Sequence, residues 1–166
     1  MKKKLTILAG LSGSGKSTLA GALHSAGALI INTDSFLIDE SGAYNWTPQR
    51  LSRAIEESNG AFHSALAAGH SWIVLDNTNL RPSLIKESWD AAELAGYTPE
   101  LCLFQRADDL DLYSRNVHSV PAETIQCQAQ QWDSLRSVLS EPDIEHQNPL
   151  QGGASLLFWY ADPWKK

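Results

Sequence analysis

Hydrophobic positions fall in short runs along the chain, and the runs predict buried strands. Each run combines aliphatic and β-branched residues and ends at a turn or at polar residues. This pattern is typical of strands buried on both faces of a parallel sheet. The runs are Leu5–Ala9, Ala28–Asn32, Ser71–Leu75 and Glu100–Phe104, and the apolar segment Ser155–Tyr160 predicts a last strand.

The segments between these runs carry the signals of helices. Thr47-Pro48 and Arg81-Pro82 place a proline at the first helical position, and Gly96 is a C-cap signal. The predicted helices cover residues 16–25, 47–69 (a break at Asn59-Gly60 is left open), 81–96, 108–116 and 121–139. Residues 33–46 are predicted to be irregular and residues 142–153 to form a loop.

Strands that alternate with helices predict an α/β protein. We expect a doubly wound parallel sheet of about five strands with helices on both faces. The length of 166 residues fits one domain. We expect its core over residues 1–140 and a C-terminal extension over 141–166. Ligands in such sheets bind beyond the carboxyl ends of the strands, so the residues that follow each strand are the candidates for function.

The segment after the first strand is a phosphate-binding loop. Gly10-Leu-Ser-Gly-Ser-Gly-Lys16-Ser17 matches the pattern G-x-x-x-x-G-K-[ST] between a predicted strand and a predicted helix. Its backbone N–H groups surround phosphates, the lysine reaches the β- and γ-phosphates, and the serine hydroxyl ligates Mg²⁺. ATP and Mg²⁺ are therefore the predicted cofactors. The residues predicted to bind them are Gly10, Ser12, Gly13, Ser14, Gly15, Lys16, Ser17 and Thr18.

Two carboxylates follow the next strands. A kinase needs a group that accepts the proton of the acceptor hydroxyl, and Asp34, two residues after the second strand, is the candidate base. The alternative for Asp34 is a turn or N-cap residue. Asp76 closes the third strand like a Walker-B acid, and it is a candidate either for Mg²⁺, through water, or for orienting the acceptor.

Other polar and aromatic side chains are candidates for the acceptor. Asn77 and Asn79 either bond the substrate or cap the next helix. Trp46, beside Tyr44, either stacks on a base or packs under the helix that starts at Thr47.

The segment after the fourth strand is the expected lid. Arg115 there is the candidate for neutralising the charge of the transferred phosphoryl group, and a surface ion pair with Asp108 or Asp111 is the alternative. His118 is a weaker candidate for bonding the nucleotide.

Charge excludes some classes of partner. The net charge is −6, and of the 13 Lys and Arg residues five lie at the two ends of the chain. Many phosphate contacts carry non-specific nucleic-acid binding, so a general nucleic-acid coat or a polybasic membrane binder is excluded. Two cysteines without metal-ligand spacing and the lack of a secretory leader predict a reduced, cytoplasmic protein with no membrane partner.

Six fragments together resemble the P-loop kinase domain of the polynucleotide 5′-hydroxyl kinase group, over about residues 5–135. They are Gly10–Thr18, Asn32-Thr-Asp34, Tyr44-Asn-Trp46, Asp76-Asn-Thr-Asn79, Ala95-Gly-Tyr97 and Arg115-Asn-Val-His-Ser-Val-Pro121. The resemblance implies ATP- and Mg²⁺-dependent transfer to a hydroxyl, with Asp34 as base, Lys16 and Ser17 on phosphates and metal, Asp76 near the acceptor and Arg115 on the lid. The group also includes phage enzymes that phosphorylate hydroxymethylated pyrimidines in DNA.

Two positions depart from the pattern of that group. In that group, an arginine one turn after the base binds the phosphate of the acceptor, and here this position is Leu37. The lid of that group also has a second arginine, and here the segment offers only His118 in its place. Because of these departures, the acceptor need not be a 5′ end. We expect it to be a hydroxyl of a nucleic acid, nucleotide or nucleoside-like compound, either at a 5′ end or on a modified base. The alternatives are a small-metabolite kinase of the sugar or antibiotic type, and a non-catalytic ATP-binding module that presents the end Phe158–Trp164 to a partner.

Overall fold

The computed structural model describes residues 2–105, 120–147 and 155–164, and strands from all three ranges form one sheet in the order β2-β3-β1-β4-β6-β5. The strands are β1 (Lys3–Ala9), β2 (Leu29–Ile31), β3 (Trp72–Asp76), β4 (Tyr97–Phe104), β5 (Ile144–Gln147) and β6 (Ser155–Trp159). The helices are α1 (Lys16–Ser25), a 3₁₀ helix (Thr33–Leu37), α2 (Pro48–Ala68), α3 (Pro82–Leu94) and α4 (Ala122–Val138).

The predicted α/β fold is confirmed, with a correction at one edge of the sheet. β1 pairs in parallel with β3 and β4, and β2 pairs in parallel with β3. β6 pairs antiparallel with β4, and β5 antiparallel with β6, which makes the sheet mixed and brings it to six strands. The prediction of a loop over 142–153 was wrong at Ile144–Gln147. This edge strand is short and mostly polar, so it has no hydrophobic run to reveal it.

Helices cover both faces of the sheet, as predicted. Successive side chains of a strand point to opposite faces, and β1 separates two parts of the core in this way. Leu5, Ile7 and Ala9 lie in a cluster with buried residues of α2, α3 and α4. Leu8 lies in a second cluster, which contains Ala20 of α1. The P-loop after β1 is thus anchored between two packed layers.

Helix α2 runs without a break through Asn59-Gly60. Its buried positions include Ala54, Ser58 and Phe62, and this i, i+4 stripe continues across the glycine. Packing of the stripe outweighs the cost of about 1 kcal/mol for glycine inside a helix. The Thr47 side chain caps the helix, as predicted, and accepts a hydrogen bond from the backbone N–H of Arg50 at 3.1 Å. Among the described helices, none is long and apolar enough to cross a membrane.

Several details of the connecting segments differ from the predictions. Residues 33–37 are not irregular but form the 3₁₀ helix, which Asn32 caps. Pro121 is the N-cap of α4 rather than its first helical residue. The predicted helix over residues 108–116 lies outside the described residues. Cys102 is buried and Cys127 is exposed, and both are free thiols.

Candidate active site

The shape of the P-loop depends on glycine at two of its positions. A Cβ atom on Gly10 would lie 2.9 Å from both Phe104 Cβ and Ser14 Oγ, closer than real contacts allow. Gly15 has φ 94°, in the left-handed region that glycine adopts without strain, and it directly precedes α1. The Gly10 N–H donates to the carbonyl oxygen of Thr78 at 2.9 Å, which ties the loop to the segment after β3.

Lys16 lies buried inside this loop. Its Nζ donates to the Leu11 carbonyl oxygen at 2.8 Å and lies 3.5 Å from Ser14 Oγ. Burial lowers the pKa of Lys16 to about 8, although the negative charges of Asp76 and Asp34 act in the opposite direction. No ion pair joins Lys16 to a carboxylate in the described part of the chain. Its ammonium group is therefore available to phosphate oxygens.

Asn32 forms hydrogen bonds to both acidic residues that follow the strands. Asp76 ends β3, lies beside Leu8 in the strand register and is buried. Its Oδ2 accepts a hydrogen bond from Asn32 Nδ2 at 3.0 Å, while Asn32 Oδ1 accepts one from the backbone N–H of Asp34 at 2.7 Å. In the sequence, Asn32 stands out only as part of Asn32-Thr-Asp34. Its N-cap propensity is the signal that indicates a structural role.

Tyr44 holds the carboxylate of Asp34. The Tyr44 hydroxyl donates to Asp34 Oδ1 at 3.2 Å. Desolvation, the charge of Asp34 and this hydrogen bond raise the pKa of Tyr44 to about 12, so the hydroxyl remains a donor at neutral pH. A bridge between Ile38 and Tyr44, together with the bond from Asn45 N–H to the Leu37 carbonyl oxygen, folds residues 37–46 into a hairpin. Tyr44 has no role that the sequence reveals, because its contact with Asp34 depends on this hairpin.

A cavity of about 520 Å³ opens beside Asp34. Its walls come from the start of the 3₁₀ helix, from α2, from residues 77–81, from α3 and from α4. Asp34 lines the cavity, whereas Asp76 and Trp46 are not among its lining residues. Trp46 is 54% exposed. The structure therefore brings together Lys16, Asp34 and Asp76 and leaves Trp46 outside the cavity.

The segment after β3 is fixed to its surroundings by asparagine side chains. Asn79 Nδ2 donates to the carbonyl oxygens of Leu8 and Leu75 at 2.8 and 3.3 Å, and the residue has φ 46°. Asn77 Oδ1 accepts a hydrogen bond from the backbone N–H of Thr33 at 2.9 Å. Both asparagines also line the cavity. Their amides thus hold the loop in place at the site where we predicted substrate contacts.

Helix α4 reaches the P-loop through a residue that the sequence did not indicate. Gln128 Oε1 accepts a hydrogen bond from the backbone N–H of Ser12 at 2.8 Å. Leu11 packs beside it with Ile125 and Ala129 of the same helix. The separation of 116 positions between Ser12 and Gln128 explains why no local pattern revealed this contact.

The oxygens near the P-loop suit a hard cation that is bound mainly by a nucleotide. Ser17 and Thr18 begin α1 with exposed side chains, and the Asp76 carboxylate lies buried beside the loop. No group of three or more His, Cys, Asp or Glu residues that could hold a metal occurs in the described ranges. Mg²⁺ is commonly held by one or two protein oxygens together with water and phosphates, and the residues present fit that mode. Arg115 and His118 lie outside the described residues.

The fold and the loop define a P-loop domain, and comparison with known proteins gives its family. A family model described as an AAA domain matches residues 5–142, and the chain belongs to this family. A chain in the solved structure of the Pnkp1/Rnl/Hen1 RNA repair complex is similar, with a TM-score of 0.69 and 19% identity. That match covers 84% of this chain but 47% of the other, so this chain spans less than half the length of that relative.

Two further solved structures have the same fold. A gluconokinase from Sinorhizobium meliloti 1021 has a TM-score of 0.53 and 18% identity, over 77% of this chain and 74% of its own. A putative kinase from Chloroflexus aurantiacus j-10-fl has a TM-score of 0.57 and 19% identity, over 82% of this chain and 80% of its own. The predicted P-loop kinase fold, similar to that of the polynucleotide kinase group, is confirmed.

Proposed function

We propose that this protein is an ATP- and Mg²⁺-dependent kinase that transfers the γ-phosphate to a hydroxyl of a nucleic acid, nucleotide or nucleoside-like acceptor. The observation that carries the proposal is the position of Asp34. Its carboxylate lines the cavity and is also near enough to Lys16 for its charge to act on the pKa of the lysine. A proton acceptor at the boundary between a phosphate loop and a cavity is what phosphoryl transfer to a hydroxyl requires.

The nucleotide side of the site consists of the P-loop and Asp76. The backbone N–H groups of Gly10, Ser12 and Ser14 donate within the protein, so the other N–H groups of Gly10–Thr18 bind phosphate oxygens. Lys16 neutralises charge on the β- and γ-phosphates. Ser17 and Asp76 hold Mg²⁺, which supplies charge neutralisation of the phosphates when it is bound. Asp76 is assigned to this side because it is buried near Lys16 and does not line the cavity.

The acceptor side consists of the cavity and Asp34. Tyr44 occupies Oδ1 of Asp34, which leaves Oδ2 for the acceptor hydroxyl. The hydroxyl proton passes to Asp34 as the acceptor oxygen bonds to the γ-phosphorus, and the bond from that phosphorus to the departing ADP oxygen breaks. Arg115 on the lid stabilises the charge that develops on the phosphoryl group. Trp46, which does not line the cavity, stacks on a base in a part of the acceptor that extends beyond the cavity, and Asn79, which lines it, bonds the acceptor.

An acceptor panel tests this function. The protein is incubated with γ-labelled ATP, Mg²⁺ and, in separate reactions, 5′-hydroxyl oligonucleotides, DNA with hydroxymethylated pyrimidines, nucleosides and sugars. We expect label on a nucleic acid or nucleoside-like compound, and transfer that is slower by about 10²- to 10⁴-fold with the Asp34→Asn variant. ATP consumption without any labelled acceptor, or tight ATP binding without turnover, would contradict the kinase assignment and favour the ATP-binding module.

A small-metabolite kinase is the second candidate, and the polar side chains that line the cavity favour it. Amide side chains and hydroxyl groups line much of the cavity wall, as suits a polyhydroxylated compound. This alternative expects label on a sugar-like compound in the same panel and no salt-sensitive binding of a polynucleotide.

A further inference from the structure

Helix α4 contacts both the cavity and the P-loop. The α4 residues that line the cavity follow one another at helical spacing and are Thr124, Cys127, Gln128 and Gln131. Ile125 and Ala129 of the same helix pack against Leu11 of the P-loop. Gln128 belongs to both contacts, because it lines the cavity and its Oε1 accepts the hydrogen bond from the Ser12 N–H at 2.8 Å. A single side chain of α4 thus connects the two halves of the site.

The amide group of Gln128 keeps its donors free. Its Oε1 is engaged by Ser12, whereas its Nε2 has no hydrogen-bond partner among the described residues. The unpaired side-chain N and O atoms that are shielded from solvent in the described ranges are the indole nitrogens of Trp89 and Trp164, so Nε2 is accessible. An amide nitrogen offers two N–H donors to oxygen or ring-nitrogen atoms of a ligand. Because an amide is planar, a ligand that fixes Nε2 also fixes Oε1 against the P-loop.

The loop segment that Gln128 holds also determines where Lys16 lies. Leu11 directly precedes Ser12 and is buried. Its carbonyl oxygen accepts hydrogen bonds from Lys16 Nζ at 2.8 Å and from the Ser14 N–H at 3.1 Å. A shift of Leu11 and Ser12 therefore changes the position from which the Lys16 ammonium reaches the phosphates. The contact made by Gln128 consequently affects nucleotide binding as well as the cavity.

We propose that Gln128 couples acceptor binding to nucleotide binding. The acceptor accepts a hydrogen bond from Gln128 Nε2 in the cavity, and the amide held in this way fixes the Ser12 N–H and keeps the P-loop in the shape that binds ATP with Mg²⁺. A loop that is already in this shape binds the nucleotide at a lower cost in conformational freedom. Each ligand then raises the affinity for the other by the same factor, because coupling between two binding sites is reciprocal. The proposal rests on the kinase function above and adds an order to it, in which the complex with both ligands is favoured over the complex with ATP alone.

Calorimetric titration measures this coupling. The dissociation constant of β,γ-imido-ATP with Mg²⁺, an analogue that is not hydrolysed, is determined without and with a saturating acceptor. The acceptor is the compound that receives the most label in the panel described above. We expect the analogue to bind about five- to tenfold more tightly when the acceptor is present, at the lower end of the usual coupling between two sites. The ratio of the two dissociation constants is the coupling ratio.

Two variants of Gln128 separate coupling from a purely structural role. Gln128→Leu removes both ends of the amide, and its coupling ratio should fall to about unity. Gln128→Glu still accepts from the Ser12 N–H but has no N–H donor for the acceptor, so its ratio should also be about unity. The added negative charge of this variant weakens binding of the analogue with and without the acceptor, and this effect cancels in the ratio. Gln131→Leu is the matched control, since Gln131 lines the cavity from the same helix without a hydrogen bond to the P-loop in the described residues, and it should keep the wild-type ratio.

Each remaining outcome decides against the proposal in a distinct way. A wild-type ratio of about unity, or a raised ratio that survives in Gln128→Leu, overturns the coupling and leaves the kinase function in place. Recovery of the ratio in Gln128→Glu overturns it too and assigns Gln128 the structural role of holding the loop. A ratio lost equally in Gln131→Leu attributes the coupling to the cavity wall as a whole. Absence of a labelled acceptor in the panel rejects the kinase function itself.

Discussion

In the described part of the chain, two clusters around β1 contain buried charged side chains. They differ in whether the charge has an oppositely charged partner within the protein. Beside β1, buried Glu100 of β4 accepts from Thr6 Oγ1 at 2.7 Å and pairs with Lys4 at 2.9 Å. Thr6 in turn accepts from Trp72 Nε1 at 2.9 Å. Beyond the end of the strand, Lys16 is also buried but has no carboxylate partner in the described part of the chain.

This difference separates a structural cluster from a functional one. The Glu100 cluster is closed, because its charge is compensated within the protein. The Lys16 cluster is open, because its lysine is bonded to a backbone carbonyl and meets Asp34 and Asp76 only through longer-range charge. Burial of an incompletely paired charge costs free energy, so it persists where a ligand completes it.

The largest effect is expected for the proposed base in the open cluster. Asp34→Asn keeps the shape of the side chain but removes its ability to accept a proton. Phosphoryl transfer should fall by about 10²- to 10⁴-fold, the usual contribution of a general base, while ATP affinity stays unchanged. Steady-state kinetics and ATP titration measure both quantities. Asp90→Asn on the exposed face of α3 is the matched control, and normal transfer by Asp34→Asn would remove this residue from the base role.

Local patterns predicted much of the fold and one half of the site. The P-loop and the strands that precede the candidate carboxylates depend on neighbouring residues, so the sequence reveals them. The contacts that organise the site are long-range: Asn32 to Asp76 spans 44 residues. Tyr44 reaches Asp34 through a hairpin, and its turn dipeptide Ser41-Gly42 does not reveal which side chains the hairpin brings together. Such contacts depend on the order of strands in the sheet, which hydrophobic periodicity does not determine.

Breaking the closed cluster should affect stability rather than activity. Glu100→Ala leaves Thr6 and Lys4 without their shared partner and should lower the free energy of unfolding by about 2–3 kcal/mol. The value is reduced from that of a fully buried pair because the Lys4 side chain is 41% exposed. Chemical denaturation measures the loss. Glu100→Gln should lose less, since its amide oxygen still accepts from Thr6.

Activity provides the second half of that test. ATP affinity and transfer should be unchanged in both Glu100 variants under conditions where they are folded. A loss of transfer larger than the loss of folded protein would mean that the closed cluster also serves the site.

Removing the charge of Lys16 from the open cluster should have the opposite effect on stability. Lys16→Met removes a buried charge and should raise the free energy of unfolding of the nucleotide-free protein by roughly 2 kcal/mol at pH 7. The pKa of Lys16 is about 8 in the folded protein and 10.5 without burial. As pH rises, Lys16 therefore loses its proton in the folded state before it does so in the unfolded state. The free-energy cost of burying its charge disappears between about pH 8 and pH 10.5.

Denaturation of both proteins from pH 7 to pH 10.5 measures this trend, and the difference between them should shrink toward zero at the upper end. The variant should also lose ATP binding, which shows that stability and function conflict at this residue. A difference that is independent of pH would assign the gain to packing of the methionine instead of to removal of the charge.

The smallest effect is expected for the residue that orients the base. Tyr44→Phe removes the hydroxyl that donates to Asp34 Oδ1 and leaves the ring in place. A hydrogen bond of this kind contributes about 1 kcal/mol, so kcat should fall about fivefold while KM for ATP stays constant. Tyr160→Phe, at an exposed tyrosine that stacks on Phe158, is the matched control. An unchanged kcat would mean that the 3₁₀ helix and Asn32 position Asp34 without help from Tyr44.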